Sequence, residues 1–101
     1  MDELSQAARD VLAERRRQIE VEGWTPEHDD AHHAGDLAQA AACYADPCPV
    51  LNGFPSARIP ERWPWKGWWW KPKDRRSNLV RAGALILAEI ERLDRAAREK
   101  P

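Results

Sequence analysis

The stretch Asp74-Arg75-Arg76-Ser77-Asn78-Leu79-Val80-Arg81-Ala82-Gly83-Ala84-Leu85-Ile86-Leu87-Ala88-Glu89-Ile90-Glu91-Arg92-Leu93 decides the fold class. Leu79, Ala82, Ile86, Ile90 and Leu93 recur at intervals of three and four, the period of one face of an α-helix. Val80, Leu85 and Leu87 widen that face, so the middle of the helix is expected to be buried on most sides. Arg92, Arg95, Arg98 and Lys100 gather towards its end, where positive charge suits the helix dipole. A helix is expected over residues 74–98.

Outward from it, residues 3–22 are rich in Ala, Leu, Glu, Arg and Gln, all good helix formers. Leu4, Ala8, Val11, Leu12 and Ile19 share a face, which Arg15 narrows, and Gly23 is a natural stop. Thr25-Pro26-Glu27 has the chemistry of a helix start and predicts a short turn over 26–33. Gly35 breaks the chain, and Asp36 to Asp46 reads as a second helix with Leu37, Ala40, Ala41 and Tyr44 on one face. Asp46-Pro47-Cys48-Pro49 ends it, because proline cannot continue a helix.

Residues 47–73 hold six of the eight prolines, and Trp63, Trp65, Trp68, Trp69 and Trp70 of the six tryptophans. No regular period runs through them, so they form a long irregular loop. With 101 residues there is room for one domain. The expected fold is all-α: a small three-helix domain with the Trp- and Pro-rich loop between helices two and three.

The composition, 43% hydrophobic and 33% charged, suits a globular chain. The longest apolar run, Ala82 to Ala88, is too short to span a bilayer, so no membrane partner is expected. The opening Met1-Asp2-Glu3 has no basic-then-apolar signal, which points to a cytoplasmic location. Cys43 and Cys48 read as reduced thiols; a disulfide, or zinc shared with His28, His32 or His33, are the alternatives. Charge is unevenly placed: residues 1–57 carry 4 basic and 11 acidic side chains, and residues 58–76 carry 7 basic and 2 acidic.

Three constellations could carry chemistry. In Glu27-His28-Asp29-Asp30-Ala31-His32-His33-Ala34-Gly35-Asp36, seven of ten residues can bind a metal or move a proton. Carboxylates without a full protein cage suit Mg²⁺ or Mn²⁺; the plainer reading is a solvated, acidic helix start. In Trp63 to Arg76, aromatic faces alternate with lysine and arginine, which can stack on a base and hold phosphate. The plainer reading is core bulk, since the chain has one Phe, one Tyr and one Met. Asp74, Asn78 and Arg81, with Asp36, could frame a polar end of the bundle, or be ordinary surface. Nucleic acid is an unlikely partner for a chain of net charge −1.

Two resemblances follow. Arg16-Arg17-Gln18-Ile19, Glu22 to Asp30, Gly35 to Ala38, Ala41 to Ala45, Trp69-Trp70-Lys71-Pro72 and Asn78 to Leu93 resemble small proteins common in bacteriophages and prophages. Gly35-Asp36-Leu37-Ala38-Gln39-Ala40 is similar to the Gly-Glu-Leu-Ala segment of MazG-like nucleoside triphosphate pyrophosphohydrolases. Those all-helical enzymes hold Mg²⁺ with E-x-x-E and E-x-x-D, and an activated water attacks phosphorus. By that resemblance His33 and Asp36 stand in the first motif and are catalytic, and Asn78 and Arg81 stand in the second. One of the four positions keeps its acid; literal E-x-x-D spacings occur at Glu27–Asp30 and Glu91–Asp94.

The function expected is that of a phage-type nucleotide-binding protein in a bacterial host cell, with Mg²⁺-dependent pyrophosphohydrolase chemistry if it is an enzyme. Glu27, Asp29, Asp30 and Asp36 would hold Mg²⁺ or Mn²⁺. Trp69 and Trp70, or their neighbour Trp68, would meet the base. Lys71, Arg75, Asn78 and Arg81 would bind substrate, with Lys73 and Arg76 near its phosphates. The resemblance also implies a homodimer. The alternative is a non-enzymatic accessory protein that binds or inhibits a host protein through its Trp-rich loop.

Overall fold

The structure, a computed structural model, describes residues 3–25, 27, 35–46, 50–51, 54–55 and 59–99. Helix α1 runs Gln6–Glu20, α2 Asp36–Ala45 and α3 Arg75–Glu99. Among the described residues the domain is all-α, with a one-turn 3₁₀ helix at Gly67–Trp69 and a two-residue antiparallel pairing of Val50–Leu51 with Phe54–Pro55 inside the connecting segment. Of the turn expected over 26–33, only Glu27 is described, and it is helical and exposed.

Local chemistry sets the helix ends. The Ser5 hydroxyl accepts the Ala8 N–H at 3.1 Å and caps α1. Gly23, two residues past the C-cap, takes φ 78°, and Gly35, which opens α2, takes φ 95°, both in the left-handed region that glycine enters at no steric cost. Asp74 caps α3: its carboxylate accepts the Ser77 N–H at 3.1 Å and the Ser77 hydroxyl at 2.6 Å.

Helices α1 and α2 each pack on α3. The core is formed by Leu37, Ala40, Ala41, Cys43 and Tyr44 of α2, Ala82, Leu85 and Ala88 of α3, and Trp63 and Trp70 of the connection. The alanines let the α2 and α3 backbones approach closely, and the aromatic rings fill the end of the bundle. Tyr44 lies 4.7 Å from Trp70 and 5.6 Å from Trp63 between ring centroids; Trp63 lies 5.0 Å from Trp70 and 5.4 Å from Trp65. Thus Trp63 and Trp70 supply core bulk, whereas Trp68 and Trp69 remain exposed.

Two expected faces are corrected. On α3, Leu79, Ile86, Ile90 and Leu93 are 44–52% exposed, and the buried face is Asn78, Ala82, Ala84, Leu85 and Ala88. The physical reason is volume: the indoles already fill the interior, so α3 offers its small residues inward and its large aliphatics outward. Leu4, just ahead of α1, and Leu12 on it are exposed, and the buried side chains of α1 are Arg15 and Gln18. The Arg15 guanidinium reaches Glu91 at 3.0 Å and the Trp24 carbonyl at 3.4 Å, so α1 docks largely through polar groups. Val11 packs where α3 carries Gly83. No helix among the described residues is long and apolar enough to cross a membrane.

Candidate functional site

The segment leading into α3 is fixed from three sides. Asn78, 1% exposed, accepts the Lys73 N–H with its amide oxygen at 2.7 Å and donates to the Lys73 carbonyl at 3.0 Å. The Tyr44 hydroxyl accepts the Lys71 N–H at 3.1 Å. Arg81 donates to the Lys71 carbonyl at 2.8 Å and to the Tyr44 hydroxyl at 3.3 Å, and its guanidinium lies 5.2 Å from the Tyr44 ring centroid.

Two hollows open beside this segment. The smaller, of about 160 Å³, has the aromatic walls Trp24, Tyr44 and Trp69, the cations Arg17, Lys71, Lys73 and Arg81, and one acid, Glu22. The larger, of about 360 Å³, lies between α1 and the start of α3; it shares Arg17, Lys73 and Arg81 with the first and adds Asp10, Glu14 and Arg76. The Lys71 ammonium sits 5.5 Å from the Trp69 ring centroid.

The charges are not equally available. Arg17 bonds both oxygens of Glu14, at 2.8 and 2.9 Å, and reaches Glu22 at 3.3 Å. Burial pushes the Glu14 carboxyl up, but the hydrogen bond and charge of Arg17, together with the charge of Arg81 3.7 Å away, outweigh it and hold the group below its ordinary value. Arg17 is in turn held protonated, chiefly by its bond to Glu14. Glu14 therefore balances Arg17 and Arg81. Lys71 and Lys73 are exposed and have no carboxylate partner among the described residues.

Of the residues singled out in the sequence, Trp69, Lys71 and Arg81 are brought together here. Trp70 is core. Arg75 donates to the Ala45 carbonyl at 2.7 Å and holds the end of α2. Asn78 is spent on the Lys73 backbone. Asp36 opens α2 whereas Tyr44 near its end meets Arg81, a separation of about 12 Å along the axis at 1.5 Å per residue. Glu27 is exposed. His33, Asp29 and Asp30, as well as His28, His32 and Cys48, lie outside the described residues. Cys43 is a free, buried thiol, raised in pKa by that burial. Among the described residues no three His, Cys, Asp or Glu side chains converge as metal ligands would.

Sequence reasoning missed Arg17, Glu22, Trp24 and Tyr44 as site residues. The run Glu14-Arg15-Arg16-Arg17 beside Glu20 and Glu22 was the available signal, but its convergence on Lys71 and Lys73 is a product of tertiary packing. Comparison with protein-family models, with curated proteins and with solved structures gives no match.

Proposed function

We propose that the chain binds a phosphate-bearing small molecule, a nucleotide, in the cationic cleft beside Trp69. One observation carries this: Lys71 and Lys73, without carboxylate partners among the described residues, border a hollow walled by Trp24, Tyr44 and Trp69. The indole of Trp69 offers a face for a base, and the two ammonium groups offer charge to phosphate. The smaller hollow suits one end of such a ligand, and the larger one, reached past Arg17 and Arg81, takes the rest. The N-terminus of α3 contributes little to anion binding, because Asp74 already caps it.

Metal chemistry of the MazG type does not fit this end of the bundle. Arg81 places a positive charge where that motif has an acid, and the Asn78 amide oxygen is taken by the Lys73 N–H. The reading these residues support is therefore binding.

The test is a binding titration with ribo- and deoxyribonucleoside triphosphates, inorganic triphosphate and unphosphorylated nucleosides, with and without Mg²⁺ or Mn²⁺. Triphosphates should bind, nucleosides should not, and Lys71→Ala/Lys73→Ala should lose about 10–100-fold in affinity. Trp69→Ala should weaken nucleotides more than inorganic triphosphate. Absence of binding by every phosphate compound would sink the proposal, and pyrophosphate release in the same reactions would establish an enzyme.

A second reading rests on Trp68, which is 70% exposed with the Lys66 ammonium 5.8 Å from its ring centroid. An exposed Trp beside a cation is the composition of an interface anchor, which fits an accessory protein that docks on a host protein. Trp68→Ala would then abolish capture of that partner and leave nucleotide titrations unchanged.

A further inference from the structure

The four large aliphatics that α3 turns to solvent are not scattered. At 100° per residue, Leu79, Ile86, Ile90 and Leu93 fall within an arc of roughly 60°, and exposed Ala97 falls in the same arc. They make one straight stripe about 21 Å long, at 1.5 Å per residue from Leu79 to Leu93. A single-file apolar stripe on a long helix is the shape that another helix covers.

The charges along the stripe specify which helix. Arg76 and Asp94 are both exposed, and they are 18 residues apart, which is five whole helical turns. They therefore stand on the same edge of the stripe, a cation at one end and an anion at the other. Arg76 keeps 59% of its side chain exposed while paired with Asp10 at 2.8 Å. The midpoint between Arg76 and Asp94 is Leu85, and the midpoint between Leu79 and Leu93 is Ile86. One twofold axis near these residues thus serves both patterns. It lays a second α3 antiparallel on the first, sets Leu79 at the level of the partner's Leu93, and brings each Arg76 to the partner's Asp94. A parallel pairing would place like charge at the level of like charge and align the two helix dipoles. Such a surface is self-complementary, as a twofold interface requires.

We propose that the Leu79–Ile86–Ile90–Leu93 stripe of α3 is a docking surface for a second copy of this chain, joined antiparallel through α3. Arg76 also lines the larger hollow, so this inference is tested by mass in the absence of nucleotide, where binding in the cleft plays no part. Sedimentation equilibrium should give twice the 11.6 kDa chain mass. Ile86→Asp changes an exposed side chain, so the helical circular dichroism should persist while the dimer weakens by roughly 100-fold or more. Asp94→Arg and Arg76→Glu should each weaken self-association, because each sets like charges against one another across the axis. Mixed together, those two variants should form a heterodimer in which both pairs are again opposite. A monomer at every concentration would overturn the proposal. So would a dimer indifferent to Ile86→Asp, or a mixture of the charge variants that gains nothing over either alone.

Discussion

Asn78 holds the backbone of Lys73 with both ends of its amide, 2.7 Å from the Lys73 nitrogen and 3.0 Å from its carbonyl oxygen. A residue fully inside the bundle thereby sets the path of the segment that carries Lys71 and Lys73. Asn78→Ala would remove both side-chain partners of the Lys73 backbone, at a cost of about 1 kcal/mol or more. Urea unfolding should show that loss, and nucleotide affinity should fall with it even though Asn78 does not line the cleft. Unchanged affinity would mean that Lys71 and Lys73 do not act from fixed positions.

The tryptophans divide by burial. Trp70→Ala should destabilise by about 3–5 kcal/mol, since it opens a cavity beside Tyr44 and Trp63. Trp68→Ala should stay within about 0.5 kcal/mol of the parent, as exposed substitutions do. Equal losses in chemical denaturation would contradict this division of roles.

Acid should act through Glu14. Its folded-state pKa is depressed, so its contribution is fully present above the unfolded value of about 4.3 and is lost as pH falls through the lower folded value. Asp74, held low by its Ser77 bonds, shifts the balance in the same direction. Melting temperature should fall on acidification below that range, and Glu14→Gln should flatten the acid limb of the curve. An unflattened limb would show that Glu14 is not the group responsible.

Gly83 tests how closely α1 is seated. A Cβ there would stand 3.2 and 3.3 Å from the two Val11 methyls. Alanine gains about 1 kcal/mol over glycine within a helix, but here Val11 must yield. Gly83→Ala should therefore stabilise clearly in a Val11→Ala background and much less in the parent. Equal gains in both backgrounds would mean that the two residues do not couple.

The helix ends were readable because they depend on local chemistry. Gly35 stands one residue ahead of α2 and Gly23 three residues past the end of α1, Pro47 comes two residues after the last residue of α2 in the sequence, and the three-helix class followed. The faces were less readable. The period of Leu79, Ile86, Ile90 and Leu93 marks a stripe but not what covers it; of the expected face Ala82 and Leu85 do turn inward, joined by Ala84 and Ala88, while the four large aliphatics face out. The site was legible in part: Trp69, Lys71 and Arg81 lie close in sequence and in space. Arg17 and Tyr44 come from other helices, and no spacing rule joins them to the loop.

The crowded indoles also bear on how the molecule interacts with light. Trp63, Trp65, Trp70 and Tyr44 form a chain of rings with centroids 4.7–5.6 Å apart, close enough for their electronic transitions to mix. The ultraviolet dichroism is therefore a sum of peptide and coupled-ring signals, and a helix content taken from the peptide bands alone would be distorted. The same coupling makes the spectrum a direct gauge of ring spacing. As the bundle loosens, the coupled signal should fade before the helical one.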